Sequence, residues 1–151
     1  MSSIEVSIDL PTSLDEVWEA VSHLERHAEW MTDAESITFA DEQRSGVGTT
    51  MDVLTRVGPL TTVDRIVVEE WTPPTTIAVT HRGIVSGEGA FHLAPTDHGT
   101  RFTWNEQLSF PWYLGGGITA TLAKPVLRRI WRSNLERFSA TLPTVAPNGE
   151  G

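Results

Sequence analysis

Residues 118–142 read ITATLAKPVLRRIWRSNLERFSATL, and the way their apolar positions recur decides how the rest of the chain must be arranged. One row runs Leu122, Val126, Ile130, Phe138 and a second runs Leu127, Trp131, Leu135, Leu142, each advancing by three or four residues. That is the period of a helix with one wide apolar face. Lys124, Arg128, Arg129, Arg132, Glu136 and Arg137 lie between the rows and belong in water or against carboxylates. The helix must therefore rest on something, and upstream the chain offers mostly short strands. Their combination predicts an α+β layer packing with a core, or a cavity, between antiparallel sheet and helix.

The strands follow from alternation. Ile4, Val6, Ile8 and Leu10 alternate with Glu5, Ser7 and Asp9, and Pro11 ends the run. Ser13 with Glu16 three residues later is a capping box, so a short helix with Leu14, Val17, Trp18 and Val21 starts there. A second helical turn or two runs from Leu24 towards Trp30, after a break near Ser22 and His23. Six further strands are expected at 35–39, 49–57, 60–70, 75–82, 84–94 and 100–108. They are separated by turn chemistry at Gly58-Pro59, Trp71-Thr72-Pro73-Pro74, Gly83 and the 95–99 stretch PTDHG. Trp112-Tyr113-Leu114 and Gly115-Gly116-Gly117 form an apolar, glycine-rich lead-in to the long helix, where Pro125 sits near the first turn or kinks it. Residues 1–143 are expected to form one domain and residues 144–151 a disordered tail.

At 151 residues and 39% hydrophobic content the chain suits a single core. It has no cysteine, which excludes a disulfide framework, a thiolate metal site and a cysteine nucleophile. The first residues lack the basic and apolar regions of a secretory signal, and no run is long enough to span a membrane, so a cytoplasmic protein is the expectation. A formal net charge of -9 argues against nucleic acid as a partner. Five of the eleven cations nevertheless fall between Lys124 and Arg137; a solvated face paired locally with carboxylates is favoured over a patch for an anionic partner.

The order β-α-α-β-β-β-β-β-β-α is accompanied by several local phrases. They are 6–18 (VSIDLPTSLDEVW), 24–30 (LERHAEW), Val47-Gly48-Thr49, Trp71-Thr72-Pro73-Pro74, Phe91-His92-Leu93 leading to 99–104 (GTRFTW), and the arginine-rich closing helix. In that order they resemble the START-like superfamily (SRPBCC), the polyketide cyclase/dehydrase and lipid transport group, from Ile4 to Leu142. The resemblance implies a helix-grip fold, a seven-stranded curved antiparallel sheet wrapped around the last helix over a deep apolar cavity. It also implies uses as diverse as lipid carriage, hormone reception, polyketide cyclisation and activation of a chaperone ATPase, so fold alone does not choose among them.

Strand parity nominates the site. Phe102, Trp104, Glu106 and Leu108 share one face, as do Val85, Gly87, Gly89, Phe91 and Leu93, and these faces should look at the helix. The two glycines either open a pocket or mark a bulge. Glu106, as a carboxylate on an apolar face, is a candidate acid, base or ligand anchor, weighed against a position near the mouth in reach of water. His81, in phase with Ile77 and Val79, is a second catalytic candidate or a hydrogen-bonded core residue. Asn134, in a helical row with Ile130 and Phe138, offers an amide to a ligand carbonyl or to nearby backbone. The ligand-binding set is then Phe91, Trp104, Phe102, Leu122, Val126, Ile130, Asn134, Trp112 and Tyr113, the last two with Phe110 and Leu114 forming an apolar gate hinged at the glycines.

His23 and His27 have the spacing of two metal ligands but no third, so no metal is expected, and nothing calls for a cofactor. Three functions compete. A binder or carrier of a small hydrophobic or aromatic molecule needs no catalytic residue. A cyclase- or dehydratase-like enzyme needs a titratable group at the substrate, and an interaction module would use the basic helix face. The partner expected first is the small hydrophobic molecule, and a homodimer is compatible with the sequence.

Overall fold

The computed structural model describes residues 2–142, so the tail expected at 144–151 lies outside the described residues. Seven strands form one antiparallel sheet: β1 (Ser2–Leu10), β2 (Ala34–Phe39), β3 (Thr50–Val57), β4 (Leu60–Thr72), β5 (Thr76–Arg82), β6 (Ser86–Thr96) and β7 (Gly99–Ser109). The sheet order is β1-β7-β6-β5-β4-β3-β2, so the first strand closes against the last and the chain between them meanders outward. Helices α1 (Leu14–Val21) and α2 (Gly116–Thr141), with a 3-10 turn at Leu24–Glu29, complete an α+β helix-grip fold. α2 lies mainly across β1 and β7.

The alternation in β1 does what it promised: Ile4, Val6 and Leu10 are buried while Glu5, Ser7 and Asp9 face out. Their register sets Val6 opposite Trp104 and Ile4 opposite Glu106. α1 begins at Ser13, whose Oγ accepts the Glu16 backbone N–H at 3.3 Å and donates to Glu16 Oε1 at 2.8 Å, tying the first turn. In α2 the second apolar row points inward, with Leu127, Trp131, Leu135 and Leu142 buried beside Ala120 and Phe138. Pro125 lies in the helix's third turn and withdraws the N–H that the Thr121 carbonyl would otherwise accept. Thr121 is exposed, so water can take that place.

Several boundaries move. β4 runs on through Trp71 and Thr72, with Trp71 opposite Ile77, so the reversal is confined to 73–75. β6 starts at Ser86, two residues later than its apolar content suggests. The sheet bends at register shifts between Ala34 and Ser36 and between Val68 and Glu70. The pairing of β6 with both neighbours runs unshifted through Gly87 and Gly89, which are therefore not bulges.

Candidate functional site

One end of the interior is solid. Trp30, Phe102 and Phe138 pack edge to face or tilted at 5.1–6.4 Å between ring centres. Trp104 stacks on Trp131 at 5.0 Å and 15°, joining sheet to helix. Beyond that stacked pair the two layers part and leave a cavity of about 290 Å³. Its walls are the inward residues of β3 to β7, among them Met51, Val53, Ile66, Val79, Phe91 and Leu108, and its roof is Ala123, Val126, Leu127 and Trp131 of α2. This is near the lower end of the size range of small-molecule pockets and has the apolar lining they favour.

The polar part of the wall is a cluster on β4, β5 and β7. Glu106 is 6% exposed, and both of its oxygens are engaged: His81 Nε2 lies 2.7 Å from Oε1 and Trp104 Nε1 donates to Oε2 at 2.8 Å. Burial works against the His81 imidazolium, but Glu106, through charge and hydrogen bond, and Asp64, through charge, outweigh it and raise the pKa above the usual histidine value. With Nε2 donating to the carboxylate, Nδ1 has no hydrogen-bond partner among the described residues.

Glycine makes the cluster possible. A Cβ on Gly89 would stand 2.5–2.6 Å from the Glu106 carboxylate, so the glycine on this inward face makes room for a carboxylate that lies flat on the sheet. Gly89→Ala is therefore expected to turn Glu106 away from His81 and Trp104 and cost about 2 kcal/mol of stability. In a urea titration, an unchanged midpoint would contradict this.

Asp64 belongs to the same cluster and was not singled out by sequence. It is 8% exposed, lines the cavity, and accepts from Thr62 Oγ1 at 3.4 Å, while its Oδ1 lies against Gly83 without a partner among the described residues. Burial pushes its carboxyl above the ordinary aspartate value against the pull of His81 and the Thr62 hydroxyl. The available signal was Arg65, whose charge demands the outer face and so turns Asp64 inward. Arg65 indeed reaches across to Asp52 at 2.9 Å on the outside.

The other residues nominated by sequence divide. Phe91, Trp104 and Val126 line the cavity. Phe102 is fully buried in the aromatic core instead, and Ile130 packs half-buried against that core. Leu122 is 71% exposed and Trp112 86%, with Tyr113 also exposed, so these three stand outside the cavity. For Leu122 the reason is rotational: with Ile118 it lies on the side of α2 away from the buried Leu127 and Trp131. Of the proposed gate, only Phe110 among the described side chains touches the cavity. Gly115, at φ 96°, ends the 3-10 turn at Trp112–Leu114 and starts α2 in another direction.

Asn134 is 0% exposed and committed elsewhere. Its Oδ1 accepts from the Thr32 N–H and Oγ1 at 3.1 and 3.0 Å, and its Nδ2 donates to Asp33 Oδ1 at 2.8 Å. Trp131 Nε1 donates to Asp33 Oδ2 at 3.3 Å, so this network pins the loop before β2 to the helix. A buried amide takes the nearest backbone and carboxylate partners, which is why it offers no handle to a ligand.

His23 and His27 are separated by the break after α1. His23 Nδ1 lies 2.6 Å from the Glu19 carbonyl, and His27 Nε2 bonds the Val21 carbonyl at 2.7 Å. No group of three or more metal-ligating side chains converges among the described residues. His27 does line the cavity, and its burial pushes its pKa down to about 4, against the hydrogen bond to Val21 and the charge of Glu25.

With this geometry in view, likeness to known proteins carries weight. No curated protein sequence matches the chain. Protein TTHA0849 from Thermus thermophilus superposes with a TM-score of 0.79 at 15% identity, over 92% of this chain and 95% of that one. BH1534 from Bacillus halodurans gives 0.71 at 18% identity, over 95% and 98%. The di-domain ARO/CYC StfQ of the steffimycin biosynthetic pathway gives 0.72 at 17% identity, over 93% of this chain and 50% of that one. At such identities these likenesses speak for the fold. The sequence model of the family described as polyketide cyclase / dehydrase and lipid transport matches residues 1–143, and the chain belongs to that family.

Proposed function

We propose that the protein binds a small, mainly apolar ring compound in the cavity between sheet and α2, as a carrier or binding protein. The observation that carries this reading is an apolar interior space of about 290 Å³ with the paired His81 and Glu106 on its wall and Asp64 beside them. Apolar walls supply area, and a few fixed polar groups orient the guest. Here the orienting atom is His81 Nδ1. With Nε2–H given to Glu106, Nδ1 accepts from a ligand hydroxyl when the ring is neutral and donates to a hydroxyl or carbonyl oxygen when it is protonated, the form that Glu106 and Asp64 favour.

The same geometry favours a second reading, acid–base catalysis of the cyclase or dehydratase kind. His81, oriented and kept protonated by Glu106, would deliver its Nδ1 proton to a ketone oxygen, the positive charge passing to the substrate and a neutral imidazole remaining hydrogen-bonded to the Glu106 carboxylate. A di-domain ARO/CYC shares this fold, which supports the second reading without assigning it any further residue.

Titration with naphthalene and naphthol, followed through tryptophan fluorescence, tests the first reading. Both probes should bind, naphthol more tightly by about tenfold. Val53→Phe, which fills the cavity, should abolish both, while His81→Gln should remove only the preference for naphthol. Failure of both probes to bind, or undiminished binding to Val53→Phe, would refute the cavity as the site. Conversion of a bicyclic ketone substrate that stops in His81→Gln would instead select the enzyme.

A further inference from the structure

The cations of this chain fall into two populations. Outside α2 there are six arginines, and five of them meet a carboxylate: Arg26 with Glu29, Arg56 with Glu35, Arg65 with Asp52, Arg82 with Glu69 and Arg101 with Asp9. The sixth, Arg44, donates to carbonyls and lies over the Phe39 ring. On α2 there are five cations and one carboxylate, and none of the five has an ion-pair partner among the described residues. The expectation of local pairing on this helix therefore fails. In a chain with nearly twice as many carboxylates as cations, partners for α2 were not scarce.

The same helix and its lead-in carry five of the eight exposed large apolar side chains among the described residues. Ile118, Leu122 and Val126 form an i, i+4 stripe, each more than half exposed, and Trp112 and Tyr113 project beside its start. Directly opposite the buried Leu127 and Trp131, the outward side of α2 is apolar for two turns and then basic at Arg128, Arg129 and Arg132. From Leu122 to Arg129 the axis rises about 10 Å. An apolar end of that length can reach the roughly 5–10 Å to the headgroup/acyl boundary while the arginines stay among the phosphates, and Trp and Tyr are the side chains favoured in that interface.

From this juxtaposition we infer that the outward face of α2, together with Trp112 and Tyr113, docks on an anionic lipid bilayer. The apolar end of the helix enters the headgroup layer and its arginines meet the lipid phosphates. No described helix is long and apolar enough to cross a membrane, so the contact is peripheral. The acidic remainder of the chain does not oppose it, because charges more than about 10 Å from the surface are screened at ordinary ionic strength. A second copy is the less suitable occupant, since a two-fold contact through this face either sets arginines against arginines or lays them on the partner's apolar stripe, and in both cases leaves the cations unpaired. Val126 lines the cavity as well as the patch, so a docked protein presents the roof of its cavity to the bilayer.

Vesicle co-sedimentation tests the inference without reference to any cavity ligand. The protein should partition onto phosphatidylcholine vesicles containing about 30% phosphatidylglycerol, release with added salt, and ignore pure phosphatidylcholine. Replacing Arg128, Arg129 and Arg132 together by Gln should lower the partition roughly a hundredfold. Leu122→Asp should lower it about tenfold with every arginine in place. These side chains are exposed, so the melting temperature should not move. Val53→Phe should sediment like the unaltered protein, which separates this inference from the cavity reading. Equal binding to both vesicles, no binding to the anionic ones, or an unaffected triple variant would overturn it. So would a dimer in light scattering that Leu122→Asp dissociates, which would give the face to a second copy.

Discussion

Glu106→Leu is expected to destabilise the fold by about 3–5 kcal/mol, and adding His81→Leu to recover more than half of that loss. The carboxylate is buried and satisfied on both oxygens, by His81 at 2.7 Å and Trp104 at 2.8 Å. Taking it away leaves the indole N–H without its acceptor and an imidazole facing apolar walls with only Asp64 nearby. Each stranded group costs on the order of 1–3 kcal/mol. Removing His81 as well takes away the stranded imidazole and returns apolar packing, leaving the Trp104 N–H as the residual penalty. Urea unfolding of the two single variants and the double variant closes the cycle. A double variant as unstable as the sum of the singles would mean that the two side chains do not act as a pair. Near-complete recovery would mean that the core folds well without a charged pair, so its place on the cavity wall is better explained by what it does to a ligand than by stability.

The pair was half legible in the sequence. Glu106 shares its parity with Phe102, Trp104 and Leu108, and the alternate positions Arg101, Asn105 and Gln107 are polar, so one face had to be inside and Glu106 on it. What parity leaves open is which of two environments an inward carboxylate meets, the water at a mouth or a partner on another strand. His81 and Glu106 come together because Gly89 lies between them in the sheet, opposite Val79 on one side and Glu106 on the other. Asp64 escaped notice because β4 is mixed on both faces. Val63 and Val67 alternate with Ile66 and Val68, and Val63 proves to be exposed.

Helical periodicity failed in a different way. α2 has two apolar arcs, and spacing alone does not say which one meets the sheet. The inward arc is fixed by Trp131 stacking on Trp104 and by Asn134 gripping Thr32 and Asp33, contacts between residues far apart in the chain. Turning the helix to satisfy them sends Leu122 outward with Ile118 and carries the lead-in residues Trp112 and Tyr113 outside the space they were expected to close.

Acidification from pH 6.5 to 4 should cost up to about 3 kcal/mol of stability through His27 alone. The residue is buried, with the ring between Trp30 and Phe91 at 5.2 and 5.7 Å and Nε2–H given to the Val21 carbonyl. Its pKa falls from 6.5 to about 4, so between those values the unfolded chain takes up a proton that the folded one refuses. Stability due to this group is thus complete above pH 6.5 and is lost as pH falls towards 4.

Two other groups in the cavity respond with the opposite sign. His81, with its pKa raised, contributes fully below 6.5 and loses its contribution only on the alkaline side, so it is constant across this window. Asp64, also raised, is relieved by protonation and offsets part of the acid loss. The exposed carboxylates Asp9, Glu35 and Asp52 have lowered values, begin to lose their pairing only at the acid end of this window and below, and contribute little because they are exposed. His27→Gln, which keeps a donor for Val21, should therefore leave a curve that is flat or rises slightly on acidification. Urea unfolding of both proteins at several pH values measures the difference. If the two curves run parallel between pH 6.5 and 4, His27 is not held neutral by its surroundings, and the cavity beside it is wetter than its lining implies.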